Sequence, residues 1–200
     1  MLSSSFLRNL AFGLAVAGAS AAAAAPASAQ SAAAPSAPPA PTLVAAPSQP
    51  DLEKDHEAIR QVVAAFKDAI KFKNLPALRS VFYNGDIRWL SSGHPPSRAF
   101  AERLSGEPVP VVDTRGAHEM LDDPRMKALA FEERFYAPKI VTDGQIATVT
   151  FDYDFRVNGQ VQNWGAETWQ MVKTEDGWRI LQLLFSYHLP QVTRPPERMP

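Results

Sequence analysis

Hydrophobic positions in the first half of the folded region repeat with helical spacing. From Leu52 to Ile70, apolar residues recur every three or four positions, as on one face of an α-helix. The stretches "LPALRSVF" and "PSRAFAERL" show the same spacing over shorter lengths, with a strand-like "DIRWLSS" between them. The pattern predicts three helices, one early strand and a further helical turn near "AHEML".

From Lys127 onward the period of the pattern changes to two, which indicates β-strands. Asp143-Gly144 and Asn158-Gly159 are typical hairpin turns, and "TEDG" supplies a third. Pro138 interrupts the first of these strands, as a bulge or edge position would. The order predicts an α+β domain in which a curved, four-stranded antiparallel meander, extended by the early strand, wraps a helix.

The first fifty residues have a different composition. Arg8 precedes an apolar, alanine-rich stretch, and Ala27-Ser28-Ala29 is typical of a signal-peptidase site. The Ala, Pro and Ser residues that follow cannot bury enough apolar surface to fold. We expect a signal peptide at 1–29, a disordered linker at 30–50, a domain at 51–190 and an irregular tail at 191–200. The mature protein would then be periplasmic or secreted, with no stable membrane anchor.

Cysteine is absent and the formal net charge is −1. Disulfides, thiolate metal sites and thiol nucleophiles are therefore excluded. A chain without a basic field is not expected to bind nucleic acid. No two histidines share a ligand spacing, so neither a metal site nor a cofactor is expected.

The order of elements resembles the nuclear transport factor 2-like (NTF2-like) superfamily, in its SnoaL-like branch. The stretch "KNLPALRSVFYNGDIRWLSSG" looks like the passage from second helix to first strand, and Glu167-Thr168 with Trp178 and Ser186 looks like the last hairpin. The resemblance covers about residues 51–189 and implies a cone with a cavity at its open end. Where many relatives carry histidines, this chain has Leu184 and Gln182.

Alternation along the last strand divides its side chains between two faces. A simple register across "TEDG" puts Trp178 and Ile180 on the same face as His188. That face combines aromatic, amide and hydroxyl groups, and with the first strand it supplies the expected ligand-binding residues: Trp89, Trp164, Thr168, Gln182, Leu184 and Ser186. The opposite face is more apolar and is expected to be core or a dimer contact: Trp169, Met171, Leu183 and Phe185.

Three residues are candidates for acid–base chemistry: Asp86, His94 and His188. Each also has a plain structural interpretation, as a turn residue for Asp86 and as exposed loop or rim residues for the two histidines. Asp152 and Asp154 alternate with aromatic residues and are expected to face solvent.

These observations favour an exported SnoaL-like domain that binds a small, largely apolar molecule in the cone cavity and forms a homodimer through the sheet. One alternative is an enzyme of isomerase, dehydratase or hydrolase type that uses acid–base residues in the cavity. Another is a non-catalytic dimerisation or assembly module. The missing histidines favour binding or assembly over catalysis.

Overall fold

The computed structural model describes residues 49–114, 116–197 and 199. The expected signal peptide and nearly all of the expected linker lie outside these residues. Three α-helices are present, as predicted: α1 (Gln49–Lys71), α2 (Leu75–Val81) and α3 (Pro95–Ser105). Short 3-10 helices span Tyr83–Gly85, Ala117–Leu121 and Pro124–Met126. Helix α1 thus begins two residues before the expected start of the domain at Asp51.

Five strands form one sheet, in the order β1-β5-β4-β3-β2. They are β1 (Trp89–Gly93), β2 (Phe131–Thr142), β3 (Ile146–Val157), β4 (Gln160–Thr174) and β5 (Gly177–Tyr187). Strands β2 to β5 form the predicted antiparallel meander, and β1 joins β5 in parallel. The α+β fold is therefore confirmed, and the interruption at Pro138 is a register shift between Tyr136 and Lys139.

Helix α1 packs on one face of the sheet, here called the inner face, to which Val149, Phe151 and Tyr153 of β3 belong; the opposite side is the outer face. The Phe66 ring of α1 is fully buried. Its centroid lies 4.9 Å from that of Trp169 and 5.2 Å from that of Trp89. Because aromatic side chains bury the largest apolar areas in a core, this contact is a main source of stability.

A buried carboxylate fixes the first half of α1. Asp55 Oδ1 accepts a hydrogen bond from Trp178 Nε1 at 3.0 Å and lies 2.7 Å from Lys173 Nζ. A buried carboxylate is tolerated when charged and hydrogen-bonding partners satisfy it in this way. The apolar periodicity of α1 gave no indication of Asp55, which occupies part of the stripe expected to be hydrophobic.

A β-bulge reverses the alternation of β5. Gln170 pairs with Gln182, but Met171 pairs with Ile180, so Leu181 is an extra residue in β5. One extra residue moves every later side chain to the other face. Different residues consequently point inward before and after the bulge: Trp178 and Ile180 before it, Leu183, Phe185 and Tyr187 after it.

The simple register predicted for the last strand was therefore wrong. Trp178 and Ile180 belong to the core and do not share a face with Gln182, Leu184 and Ser186, which lie on the outer face. The expectation for the apolar set was correct, because Trp169, Met171 and Leu183 are core residues and Phe185 packs against them.

Asp154 also departs from its expected place. It lies on the outer face but is fully buried, so it does not face solvent. Its carboxylate accepts hydrogen bonds from Tyr136 Oη and from Arg156 Nε, both at 2.7 Å. Tyr136 and Arg156 thus supply the hydrogen bonds that water was expected to supply.

Phe66→Ala is expected to lower the free energy of unfolding by about 3–5 kcal/mol, because it removes a fully buried ring. Phe72→Ala is the matched control: Phe72 is 69% exposed just beyond the end of α1, so its loss should change stability by less than about 0.5 kcal/mol. Urea denaturation measures both. Equal effects of the two substitutions would contradict this account of the core.

Candidate functional site

Two glutamates from different strands are buried on the inner face. Glu133 of β2 pairs with Phe155, and Glu167 of β4 pairs with Phe151, which directs both carboxyl groups toward α1. Both glutamates are at most 5% exposed, and the buried Tyr153 of β3 lies on the same face. Titratable groups enclosed by an apolar core are uncommon and mark candidate functional sites.

Burial determines the protonation of this pair. It raises the pKa of Glu167 to about 8. It also raises the pKa of Glu133 well above its usual range, and the charge of Glu167 raises it further, whereas Lys67 of α1 opposes the shift. Burial likewise raises the pKa of Tyr153. At neutral pH the Glu167 carboxyl group therefore retains its proton and can donate a hydrogen bond.

The hydrogen bonds around Glu167 are incomplete. Its Oε1 accepts a hydrogen bond from Trp169 Nε1 at 2.6 Å. Its Oε2 is buried and has no hydrogen-bond partner among the described residues, and the same is true of the buried Trp89 Nε1. Tyr153 is satisfied, because its hydroxyl donates to Asn163 Oδ1 at 2.9 Å. Glu167 and Trp89 thus each present one polar atom for a molecule bound at the inner face.

Trp89 is the residue of the expected ligand-binding set that lies in this interior. Its ring packs against Phe66 and, at 6.5 Å between centroids, against Phe185. Its side chain therefore shares one aromatic cluster with Trp169, whose indole binds Glu167. The aromatic surroundings, with a few polar atoms placed among them, have the character of a small-molecule site.

Other members of the expected set meet on the outer face. Thr168, Leu184 and Ser186 line a groove of about 440 Å³, and Glu167 and Phe185 also contribute to its lining. Gln182 lies on the same face, opposite Gln170. The bulge in β5 thus separates these residues from the inner face, and their role in binding stays a prediction.

Two of the three acid–base candidates lie together and the third lies apart. The rings of His94 and His188 are stacked with centroids 3.6 Å apart, and His188 stacks in turn on Trp164 at 4.1 Å. Asp86 lies on an exposed turn, where it forms an ion pair with Arg88 at 2.8 Å. None of these three residues belongs to the buried acid pair, and their roles also stay predictions.

The buried acid pair escaped the analysis of the sequence, although a signal for each member exists. Glu132 and Glu133 are neighbours in a strand, and because neighbouring side chains point to opposite faces, one of them must point to the core. Glu167 is two residues from Trp169 and so shares its face. Adjacent acids in a strand next to buried aromatic residues are therefore the pattern that could have located the site.

Within the described part of the chain, no three histidine, aspartate or glutamate residues lie close enough together to hold a metal ion. No helix in that part of the chain has the length and hydrophobicity needed to cross a membrane.

Solved structures with a similar arrangement include NTF2-like proteins and proteins of unknown function. One is an NTF2-like protein with a cystatin-like fold from Novosphingobium aromaticivorans (18% identity, 68% of this chain and 82% of that chain, TM-score 0.46). Others are a protein of unknown function from Mycobacterium tuberculosis (12%, 70% and 75%, 0.49) and an NTF2-like protein of unknown function from Shewanella baltica (13%, 68% and 95%, 0.45). No protein-family model and no curated protein sequence matches the chain. The function is therefore argued from the site.

Glu167→Gln is expected to change how stability depends on pH. A carboxyl group with a pKa of about 8 in the folded state and near 4.5 when unfolded binds more protons in the folded state between these values. Its contribution to stability is therefore complete below pH 4.5 and is lost as the pH rises to about 8, by at most about 1.4 kcal/mol per pH unit. The wild-type free energy of unfolding, minus that of the variant, should fall across this range.

Glu175→Gln, in the exposed turn between β4 and β5, is the control and should leave the profile unchanged. Urea denaturation at intervals from pH 4.5 to 8.5 gives the profiles. A constant difference between the wild type and Glu167→Gln would contradict the raised pKa.

Proposed function

We propose that the chain is an exported protein whose NTF2-like domain binds a small, largely apolar molecule at the inner face of the sheet. The observation that carries this proposal is the pair of buried, unpartnered atoms Glu167 Oε2 and Trp89 Nε1. Each unsatisfied buried polar group costs about 1–3 kcal/mol. A bound molecule that supplies the missing hydrogen bonds offsets this cost, so the two atoms support a ligand site better than a purely structural role.

The protonation of Glu167 defines the polar group that the ligand needs. With its pKa near 8, the carboxyl group is neutral at pH 7. Oε1 already accepts a hydrogen bond from Trp169, so the proton is placed on Oε2. Glu167 Oε2 and Trp89 Nε1 then both act as donors, and an uncharged acceptor oxygen on an otherwise apolar ligand satisfies them.

Acid–base catalysis is the second candidate function, and the pKa of Glu167 is the observation that favours it. A carboxyl group that holds its proton at neutral pH is suited to general acid chemistry, and the neighbouring Glu133 gives the site a second titratable group. Catalysis would then depend on Glu133 and Glu167 rather than on Asp86, His94 or His188. Under this alternative, Glu167→Gln retains ligand binding but abolishes turnover.

The ligand proposal predicts that protein purified under native conditions from its own host carries a small molecule, which extraction and mass spectrometry would identify. Trp89→Phe and Glu167→Leu should each weaken its affinity about tenfold, because each removes one hydrogen-bond donor, whereas Glu175→Leu should have no effect. Calorimetric titration with the extracted compound measures this, and circular dichroism checks that the variants fold. The intact mass of the same preparation should correspond to a chain beginning at Gln30.

The ligand proposal would be contradicted if the native protein carried no such compound and neutral apolar carbonyl compounds did not raise its melting temperature. Wild-type affinity in both inner-face variants would contradict the assigned site.

We further propose that the protein is a homodimer that associates through the outer face. Leu184 is 39% exposed beside the groove lined by Thr168 and Ser186, and Leu181 at the bulge is also exposed. Exposed apolar side chains on the open face of a sheet are typical of an association surface. A second copy of the chain placed face to face would bury the side chains of both Leu181 and Leu184.

Leu184→Glu should convert this dimer into a monomer, because it places a charge at the centre of the apolar contact. Leu104→Glu is the control, since Leu104 is similarly exposed but lies on α3. Sedimentation velocity at micromolar concentration distinguishes one subunit from two. A monomeric wild type, or a variant that remains dimeric, would contradict the proposed interface.

A further inference from the structure

A stack of three rings joins segments that are far apart in the sequence. The His188 ring, just after β5, lies between the Trp164 ring of β4 and the His94 ring, which immediately precedes α3. The centroid distances are 4.1 Å and 3.6 Å, and the interplanar angles are 17° and 16°. The three side chains are therefore packed face to face at one end of the sheet.

Two segments leave the sheet at this stack. His94 N donates a hydrogen bond to the carbonyl of Tyr187 at 3.0 Å, which positions the start of α3. His188 N donates to the carbonyl of Trp164 at 2.7 Å, where the C-terminal segment (residues 189–197 and 199) begins. Leu189 N, the next amide, donates to the buried hydroxyl of Ser97 in α3 at 2.9 Å. The stack is thus the point at which α3, β4 and the C-terminal segment meet.

The C-terminal segment is docked although it contains neither helix nor strand. Leu189 and Met199 are buried. Trp164 Nε1 donates a hydrogen bond to the carbonyl of Thr193 at 3.2 Å, so the same indole that supports the histidine stack also binds this segment. Displacing the rings would consequently remove contacts from the segment.

The surroundings of His188 disfavour a positive charge. Its Nδ1 is buried and has no hydrogen-bond partner among the described residues. Burial, and secondly the charge of His94, lower the pKa of His188. The other ionisable groups nearby do not supply a compensating carboxylate contact: α3 brings Arg98, which packs on Tyr187 and Gly93, and the segment itself carries Arg194 and Glu197.

Gly93 of β1 and Tyr187 of β5 pair with each other at the same end of the sheet as the stack. A side chain at position 93 would come within 2.6 Å of the Tyr187 ring and 2.7 Å of Arg98 Cγ, so only glycine allows this approach. Burial and the charge of Asp113 raise the pKa of Tyr187, and Arg98 opposes this. Tyr187 therefore stays neutral in mild acid, so it does not contribute to a change of charge at the stack.

We propose that the His94–His188–Trp164 stack is an acid-sensitive latch, which holds the C-terminal segment and the start of α3 against the sheet and opens when its imidazoles take up protons. Two cationic rings at 3.6 Å repel each other, and a protonated His188 Nδ1 adds a buried donor without an acceptor.

The direction of the pH dependence follows from the lowered pKa. A histidine whose folded pKa lies below its unfolded value contributes stability that is complete above about pH 6.5 and is lost as the pH falls below it. The latch should therefore be closed at pH 7.5 and weakened at pH 5. This sign is opposite to that of the buried carboxyl pair, so the two effects can be separated.

Hydrogen–deuterium exchange of the full chain tests the latch, with rates corrected for the intrinsic effect of pH. Between pH 7.5 and 5, the amides of Leu189, Val192 and Thr193 should lose at least about tenfold in protection, because each donates a hydrogen bond in the closed segment. Amides at the centre of β3 serve as an internal reference and should lose no protection, because the buried carboxyl groups stabilise the fold as the pH falls.

Variants identify the titrating groups. His94→Phe and the double variant His94→Phe with His188→Phe keep stacked rings but cannot be charged, so the C-terminal segment should stay protected at pH 5. His56→Gln, on α1 and outside the stack, should open like the wild type. The proposal would be overturned if wild-type protection were the same at both pH values, or if the phenylalanine variants lost protection in acid as the wild type does.

Discussion

The fold depends on the burial of one helix against a sheet whose inner face is aromatic. The Phe66 ring contacts Trp89 of β1, Phe135 of β2 and Trp169 of β4. The Phe66 side chain thus links α1 to both edge strands, β1 and β2, and to β4 in the centre of the sheet. Asp55 adds a directional bond to Trp178, which fixes where along the sheet the helix lies. Together these contacts create an interior of low polarity.

That interior explains the unusual chemistry of Glu133 and Glu167. In water a glutamate loses its proton near pH 4.5, but an apolar environment disfavours the charged form. The same aromatic packing that stabilises the fold therefore raises the pKa of both carboxyl groups and keeps Glu167 protonated near neutral pH. Because Trp169 satisfies only one oxygen of Glu167, the fold retains hydrogen-bonding capacity in a region that is otherwise apolar. This combination is the physical basis for the proposed ligand site.

Local patterns in the sequence were sufficient to predict the fold, but they were not sufficient to predict which side chains lie on each face of the sheet. The helical spacing of α1 and the turns at Asp143-Gly144 and Asn158-Gly159 are signals carried by a few neighbouring residues, and each led to the correct element. No such local signal marks the bulge at Leu181, because the bulge arises from how β5 pairs with β4. Gln182, Leu184 and Ser186 consequently lie on the outer face, and their role in binding stays a prediction. Trp89 lies in that interior because it pairs with Leu183, one of the β5 residues that point inward after the bulge.

The most direct test of the central claim is a crystal structure of the full-length protein purified natively and without added ligands. The account predicts electron density for a small molecule at the inner face, with an acceptor atom within hydrogen-bonding distance of both Trp89 Nε1 and Glu167 Oε2. An inner face closed by the protein's own side chains, with both atoms hydrogen-bonded within the chain, would contradict it.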